Sequence, residues 1–330
     1  MHALVTGAAG FVGRWLTDAL RQRGVAVTAL ATEAGVSTRM PSRATALGDD
    51  RDPALWASIN WLYGDLRSSD YVASVVDAAR YDFVIHLAAI SHVPSAANDP
   101  ALAWDVNVTA TARLLHAVGR ARERGACDPV VLIVGSAEEY GEHTEAEAPL
   151  REEAVLRPRT VYAATKVAQE VMALQLWRST GLKIVVTRSF NHSGGGQDPR
   201  FVIPALVRRA LSLRGAPPKS PLLLGNLTPV RDFLHVSDVV AAYISLCERG
   251  TPGEVYNVAS GSGRSVADIV HTVLARVGVE AEIVSDPALV RPVDVPVLVG
   301  DARKLQDATQ WRAARSFDDI IDDLIHAATY

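Results

Sequence analysis

The sequence has little of what marks secreted, metal-binding or nucleic-acid-binding proteins. Its 330 residues include only two cysteines. Cys127 and Cys247 show neither the paired spacing of a zinc site nor the density of a disulfide framework, so we expect two small buried thiols and no bound metal. The formal net charge is -4 at pH 7. Without a basic excess, the composition indicates binding neither to nucleic acid nor to an anionic membrane.

Long hydrophobic runs are also missing. No apolar run approaches the ~20 residues of a membrane span. The first residues lead directly into an apolar strand pattern, without the charged and apolar regions of a signal peptide. We therefore expect a soluble cytoplasmic protein. The hydrophobic content of 48% is enough for one large core, or for a core with a smaller lobe.

Short apolar runs alternate with amphipathic stretches through the first half of the chain. The predicted strands are Ala3–Thr6, Ala26–Leu30, Asn60–Tyr63, Phe83–Leu87, Val130–Val134 and Ile184–Thr187. The predicted helices are Val12–Arg23, Leu102–Arg122 and Tyr162–Ser179, and Asn98-Asp99-Pro100 is a helix start signal. This alternation predicts an α/β fold, a Rossmann-type doubly wound parallel sheet covered by helices on both faces.

The pattern changes after about residue 190, where Gly and Pro cluster and short strands mix with helices. The predicted strands there are Leu222–Leu224, Val255–Asn257 and Glu282–Val284, and the predicted helices are Val202–Leu213, Val236–Glu248 and Val266–Val277. We expect residues 1–190 to form a dinucleotide-binding domain, with later strands contributed from about 229–260. Residues 191–330 are then mainly a smaller α/β substrate-binding lobe.

A glycine-rich loop, Thr6–Gly13, follows the first strand and opens the first helix. Glycines there permit a tight turn and a close backbone approach to a pyrophosphate, while the helix N-terminus offers N–H groups and a positive dipole. The spacing is G-x-x-G-x-x-G, and its place between strand and helix supports dinucleotide binding. The predicted contacts are Gly7, Ala9, Gly10, Phe11, Val12 and Gly13.

The end of the second strand reads Leu30-Ala31-Thr32, and Glu33 comes slightly late for the acid that usually binds the ribose 2′-hydroxyl. Loss of this acid removes a repulsion against a 2′-phosphate. The sequence therefore favours NADP over NAD, and use of both stays open.

Tyr162 and Lys166 form a Y-x-x-x-K pair on one face of a predicted helix. A free phenol has a pKa near ~10, and a nearby ammonium is expected to lower it towards proton exchange at neutral pH. Ser136 follows the predicted strand Val130–Val134, at the end of a parallel strand where α/β sheets place ligands. A hydroxyl there can donate a hydrogen bond to a substrate carbonyl.

Four motifs, TGAAGFVG, HLAA, GSAEEYG and YAATK, together resemble the extended short-chain dehydrogenase/reductase family. This resemblance implies that Ser136, Tyr162 and Lys166 are catalytic, and that Tyr162 and Lys166 also contact the cofactor. It further implies an active-site support role for Asn107. The additional cofactor contacts that it implies are Asp65, Leu66, Leu87, Ala88 and Ala89.

The stretch Arg188–Gln197, RSFNHSGGGQ, resembles the R-x-F-N-H-x-G-P-G-Q segment of the family's nucleotide-sugar branch. Gly195 replaces the usual proline, which is expected to loosen the loop. The resemblance implies substrate contacts from Asn191 and His192. A GNL…VRDF segment and a late RPVDVP segment add Asn226, Arg231 and Arg291, two of them guanidiniums suited to gripping a diphosphate.

The whole chain resembles the reductases of this branch that act on GDP-6-deoxy-4-keto-mannose. The implied reaction is reduction of the C4 ketone by NAD(P)H, giving GDP-D-rhamnose or GDP-6-deoxytalose. A GDP-mannose 4,6-dehydratase or a nucleotide-sugar 4-epimerase stays open. Dehydratases carry Asp-Glu or Ser-Glu directly after the catalytic hydroxyl, where this chain has Ala137 and Glu138. Ala137 cannot donate a proton, and Glu138 remains a possible base. A dinucleotide-binding sensor without catalysis is the non-enzyme alternative. Relatives commonly form homodimers, and we expect one here.

Overall fold

A computed structural model describes residues 1–32, 59–215, 217, 219–289 and 295–329. Its strands are β1 (His2–Thr6), β2 (Ala26–Ala31), β3 (Asn60–Tyr63), β4 (Phe83–His86), β5 (Val130–Ser136), β6 (Ile184–Ser189), β7 (Asn191–Ser193), β8 (Ser220–Leu224), β9 (Val230–His235), β10 (Val255–Val258), β11 (Gly263–Ser265), β12 (Ala281–Ser285) and β13 (Val297–Leu298). Its α-helices are α1 (Phe11–Gln22), α2 (Ser69–Asp77), α3 (Val93–Asn98), α4 (Pro100–Trp104), α5 (Ala110–Glu123), α6 (Val161–Thr180), α7 (Val202–Ser212), α8 (Val236–Arg249), α9 (Val266–Val277), α10 (Arg303–Thr309) and α11 (Phe317–Thr329).

The largest sheet has seven parallel strands in the order β10-β6-β5-β4-β1-β2-β3. The central strands are apolar because both of their faces are covered by helices. One core cluster includes Leu16 of α1 and Tyr243 of α8, and the other includes Leu114 of α5 and Ala173 of α6. The predicted Rossmann-type α/β fold is confirmed.

Residues after 190 build two smaller sheets. In one, β9 pairs with β7, β11 and β13, and in the other β8 and β12 run parallel. Helices α7, α9 and α11 share a separate core that includes Leu206, Val273 and Ile321. Of the two strands within 229–260, β10 joins the large sheet but β9 does not. That expectation is therefore corrected for β9, whose neighbours lie in the smaller lobe.

The predicted helix Leu102–Arg122 is interrupted. Asp99 caps α4 by accepting a hydrogen bond from Leu102 N at 3.0 Å, as its start signal indicates. A π-helical turn at Asp105–Thr109 then joins α4 to α5. Such turns are frequent at functional sites. This one contains Asn107, the predicted support residue.

Both cysteines are free and buried, as expected. Across the part of the chain that the structure describes, no helix is both long and apolar enough to cross a membrane. Within the same residues, no group of three or more His, Cys, Asp or Glu side chains could hold a metal ion.

Candidate active site

The Thr6–Gly13 loop is shaped for close backbone approach. Gly7 has a left-handed φ of 69°, and a Cβ there would lie 2.8 Å from Ala88 N. A Cβ on Gly13 would lie 2.4 Å from the carbonyl oxygen of Gly7. Gly10 is the N-cap of α1 and has no side chain that could cover the first N–H groups of the helix. The loop therefore fits a dinucleotide pyrophosphate.

The predicted cofactor segment Leu87–Ala89 lies directly beside this loop. Leu87 N donates to the Thr6 carbonyl at 3.2 Å, and Ala88 N donates to Thr6 Oγ1 at 3.2 Å. The segment follows β4, the neighbour of β1 in the sheet, so both chain segments leave the same carboxyl edge. This edge is where open α/β sheets bind their ligands.

Asp65 and Leu66 follow β3 at the far end of the sheet. The Asp65 carboxylate accepts hydrogen bonds from Arg67 N, Nε and Nη2 at 2.8, 2.9 and 2.6 Å. These bonds hold the pKa of the Asp65 carboxyl below its usual value. Leu66 packs against the core on the α5 side of the sheet. Glu33, which bears on the choice between NADP and NAD, lies outside the described residues.

Ser136 ends β5, and Tyr162 lies in the first turn of α6. Their relative exposures are 8% and 9%. Burial raises the pKa of the Tyr162 phenol, and the nearby Ser136 hydroxyl opposes this shift only in part. The sequence-based expectation of a lowered phenol pKa is therefore not met in this structure. Burial is the largest cause of the shift, and the Lys166 ammonium donates to other partners.

Lys166 Nζ donates to the Val134 carbonyl and to Gln169 Oε1, each at 2.8 Å. Burial lowers the pKa of the Lys166 ammonium, although the charge of Glu139 opposes this shift. Y-x-x-x-K spacing brings Tyr162 and Lys166 to the inner face of α6, where both side chains are buried.

A chain of buried hydrogen bonds links Lys166 to the cofactor loop. Gln169 Nε2 donates to Thr111 Oγ1 at 2.6 Å, and His86 Nε2 contacts the same oxygen at 2.8 Å. His86 Nδ1 contacts Thr6 Oγ1 at 2.8 Å. Burial lowers the pKa of the His86 imidazole to about 3, so the ring is neutral. In the sequence, His86 stands out only as the first residue of the HLAA motif. Its link between Thr111 and Thr6 was not predicted.

Asn107 supports the same region from the π-helical turn. Its Oδ1 accepts from Ile90 N at 2.8 Å, and its Nδ2 donates to Ile90 O at 3.2 Å and to Thr165 Oγ1 at 2.9 Å. The side chain thus ties the segment after Ala89 to the helix that bears Tyr162.

A buried charge cluster beneath Ser136 was not predicted. Glu139 Oε1 accepts from Ser136 N at 2.7 Å, and its Oε2 lies 3.9 Å from Arg188 Nε. Arg188 makes a bidentate pair with Glu170, at 2.9 and 2.7 Å, and stacks over the Tyr140 ring at 4.9 Å. Burial and the nearby Glu170 raise the pKa of the Glu139 carboxyl. The one sequence signal for this cluster is the capping-box spacing of Ser136 and Glu139.

Position 137 is filled by a buried methyl group. Ala137 is 2% exposed and packs in the core cluster that includes Tyr140. The next residue, Glu138, is half-buried, and its negative charge contributes to the raised pKa of Tyr162. Of the two residues that follow Ser136, only Glu138 therefore presents an acid.

The predicted substrate residues that the structure describes lie on the smaller lobe. Asn191 and His192 begin β7, directly beyond the end of β6, and the His192 ring stacks on Phe11 of α1 at 6.3 Å. Arg231 lies on the neighbouring strand β9, and Asn226 is an exposed loop residue whose Oδ1 accepts from Thr228. Arg291 lies outside the described residues.

Comparisons with known proteins identify the family of this chain. The model of a family described as GDP-mannose 4,6 dehydratase matches residues 4–324. A GDP-6-deoxy-D-mannose reductase from Pseudomonas aeruginosa is 36% identical over 231 residues, 70% of this chain and 75% of that protein. A dTDP-glucose 4,6-dehydratase from Streptomyces antibioticus is 31% identical over 326 residues, 96% of this chain and 89% of that protein.

Solved structures of nucleotide-sugar enzymes share the fold of this protein over nearly the whole chain. RMD from Pseudomonas aeruginosa, complexed with NADPH, has a TM-score of 0.79 and 29% identity, covering 99% of this chain and 97% of its own. A UDP-glucose 4-epimerase of Thermus thermophilus, complexed with NAD, has a TM-score of 0.82 and 28% identity, covering 100% and 99%. The resemblance inferred from the motifs is confirmed. The chain belongs to the GDP-mannose 4,6 dehydratase family of extended short-chain dehydrogenases/reductases.

Proposed function

We propose that this protein is an NAD(P)H-dependent reductase of the C4 ketone in a GDP-linked 4-keto-6-deoxy-mannose. The product is GDP-D-rhamnose or GDP-6-deoxytalose. The observation that carries the choice of reaction is Ala137, a buried methyl group at the position where a dehydratase needs an acid. The similarity to a GDP-6-deoxy-D-mannose reductase supports the same reading.

The cofactor contacts are assigned to the carboxyl edge of the large sheet. The first N–H groups of α1 bind the pyrophosphate, and the segment Leu87–Ala89 lines the adjoining cleft. Asp65 and Leu66 border the adenine side. Relatives of known structure bind NADPH or NAD, and the missing acid after Ala31 favours NADP here. The bound nicotinamide supplies the hydride.

The protein's own groups position the ketone and provide one proton. The Ser136 hydroxyl lies close enough to Tyr162 to influence the pKa of its phenol, and both hydroxyls are assigned to the ketone oxygen. Because burial keeps the Tyr162 phenol protonated, it can give its proton to the alkoxide as that charge develops. Lys166 supplies a fixed positive charge nearby and a donor for the nicotinamide ribose. Ser136 is held in place by the Glu139 carboxyl beneath it.

Asn191, His192, Asn226, Arg231 and Arg291 are assigned to the sugar nucleotide. The stacking of His192 on Phe11 brings the substrate lobe against the cofactor helix. Removing a charge-assisted bond to the diphosphate costs roughly 1.5–3 kcal/mol. Arg231→Ala should therefore weaken GDP binding in a calorimetric titration while leaving NADPH binding unchanged. Equal GDP affinity in the wild type and in Arg231→Ala would mean that Arg231 does not bind the diphosphate.

The reaction class is tested with two substrates in parallel. With GDP-4-keto-6-deoxymannose, we expect one NADPH oxidised per sugar reduced, and NMR identifies the product. With GDP-mannose and no added cofactor, we expect no 4-keto product, since protonation of the leaving C6 hydroxyl needs an acid that Ala137 cannot provide. Formation of that product would show that Glu138 performs the elimination and that the protein is a dehydratase. Failure to turn over any keto-sugar despite binding NADPH would favour a sensor.

A homodimer is proposed through the outer face of α6. An open apolar groove there is lined by Val167, Val171 and Met172, and Val171 is 59% exposed. Exposed apolar surface on a helix indicates a partner, and the assigned partner is a second copy of this helix. Light scattering of wild type and Val171→Glu tests this. The wild type should have twice the monomer mass, and the variant should dissociate.

A further inference from the structure

The triple-glycine loop, Gly194–Gly196, lies between the cofactor helix α1 and the last helix α11. From one side, Trp15 Nε1 donates to the Gly195 carbonyl at 3.1 Å, and Arg14 Nη2 donates to the carbonyl of the next residue at 3.0 Å. From the other side, the Asp323 carboxylate accepts the Gly195 N–H at 2.6 Å. Two lobes of the protein therefore hold the same short segment.

Asp323 is itself fixed where it meets the loop. Its Oδ2 atom, which accepts from Gly195, lies 3.2 Å from His235 Nε2. His235 Nδ1 contacts Ser237 Oγ at 2.7 Å, and the imidazole packs edge-on against Trp15 with ring centroids 5.5 Å apart. The carboxylate is thus a junction between α11, the start of α8 and the triple-glycine loop.

Position 195 leaves little room for a side chain. A Cβ there would lie 3.1 and 3.2 Å from the two Asp323 oxygens and 3.4 Å from Ala327 Cβ. The neighbouring Gly194 is more confined, with a Cβ 2.8 Å from Val236 Cγ1. A proline, the residue that the related motif has at position 195, has no N–H and could not donate to Asp323. Glycine at position 195 thus supplies an N–H donor that proline lacks, and this donor holds the loop to Asp323.

The anchored loop directly follows β7, which begins with Asn191 and His192. Gln197 closes the loop back on this strand, since its Nε2 donates to the His192 carbonyl at 3.1 Å. We propose that Asp323 is a positioning residue for the substrate, holding the triple-glycine loop so that Asn191 and His192 face the cofactor cleft. This inference rests on the proposed function for its substrate and on the contacts above for its geometry.

The first test measures the loop itself by amide hydrogen exchange in the full-length protein without ligands. Asp323→Ala removes the acceptor and should speed exchange at Gly195 by about 10- to 100-fold, the range for loss of a charge-assisted hydrogen bond. Asp323→Asn keeps an acceptor oxygen and should restore most of the protection. Asp322→Ala is the control, because this neighbouring carboxylate pairs with Arg276 on the surface instead.

The second test measures the consequence for the substrate. With GDP-4-keto-6-deoxymannose and NADPH, Asp323→Ala should raise the sugar-nucleotide KM by roughly tenfold and change kcat and the NADPH KM by less than about twofold. Gly195→Pro removes the donor and places ring atoms beside Asp323, so it should raise the same KM by at least as much. Combining the two substitutions should add nothing to the effect of Gly195→Pro alone, because that substitution already removes the bond.

Unchanged exchange at Gly195 in Asp323→Ala, or additive effects in the double variant, would overturn the proposal. A fall in kcat with an unchanged sugar-nucleotide KM would also overturn it. If Asp323→Ala does not fold, Gly195→Pro and Asp323→Asn decide between the same outcomes. If the wild type turns over no keto-sugar, the proposed function fails, whereas the exchange comparison still decides whether Asp323 holds the loop.

Discussion

Replacing Tyr162 with phenylalanine removes one hydroxyl from the candidate active site and keeps the ring. The ring packs in a small cluster with Ala96 and Ala103, contacts that phenylalanine preserves. Loss of the polar interactions of one hydroxyl should lower the free energy of unfolding by only ~0.5–1.5 kcal/mol. The variant should therefore fold normally, which makes its activity interpretable.

The expected loss of rate follows from the protonation state of the phenol. Burial raises the pKa of Tyr162, so the proton is present throughout the neutral range and its donation is lost only through the substitution. General acid catalysis contributes ~10²–10⁴-fold. This corresponds to ~2.7–5.4 kcal/mol of activation free energy. The Gly7–Gly13 loop is untouched, and NADPH binding should stay close to wild type.

The assay follows NADPH absorbance with GDP-4-keto-6-deoxymannose, and fluorescence titration measures NADPH affinity in the same preparations. Thermal unfolding controls for the fold. A Tyr162→Phe protein that works within tenfold of wild type would refute the assignment of the proton donor, and Glu138 would be the next group to test.

Three further perturbations follow from the buried groups. Burial lowers the pKa of Lys166, so its ammonium loses its charge at a pH below the ordinary ~10.4. We expect kcat/KM to decline as the pH rises through this value. Lys166→Arg stays charged and should move the decline to higher pH if Lys166 causes it. Glu170→Gln removes the carboxylate that balances the charge of buried Arg188 and should lower the free energy of unfolding in urea by about 3 kcal/mol. The matched control is Glu254→Gln, which breaks the exposed pair with Lys304 and should lower it by less than ~1 kcal/mol. Gly13→Ala places a Cβ 2.4 Å from the carbonyl oxygen of Gly7. Overpacking of this kind costs ~1–3 kcal/mol and should weaken NADPH binding about tenfold. Unchanged NADPH affinity would mean that the loop adapts freely.

Short sequence motifs were sufficient to predict features that depend on residues close together in the sequence. The Gly7–Gly13 spacing predicts a loop in which two glycines prove sterically required. The Tyr162–Lys166 spacing predicts one helix face, and both side chains are buried there. The start signal at Asp99 predicts a cap that the structure contains. Each of these features spans a few residues, so backbone geometry alone links pattern to structure.

Electrostatics could not be predicted in the same way. Sequence spacing suggests that Lys166 lowers the pKa of Tyr162, but burial has the larger effect and raises it. Burial depends on everything packed around a group, including the helices that cover the sheet. The ammonium is also directed to Val134 and Gln169, partners that no spacing rule identifies.

The sequence by itself determined the parallel α/β architecture, the cofactor loop and the order of the Ser, Tyr and Lys side chains, because these follow from strand–helix periodicity and short motifs. Only the tertiary structure decided which side chains from distant parts of the sequence come into contact around these features. Glu139, directly after β5, reaches Arg188 on the adjacent strand β6, and Gly195 meets Asp323 at a separation of 128 residues. Contacts of this kind form only when the sheet and the smaller lobe are packed, since chain segments far apart in sequence are brought together by burial of their apolar faces.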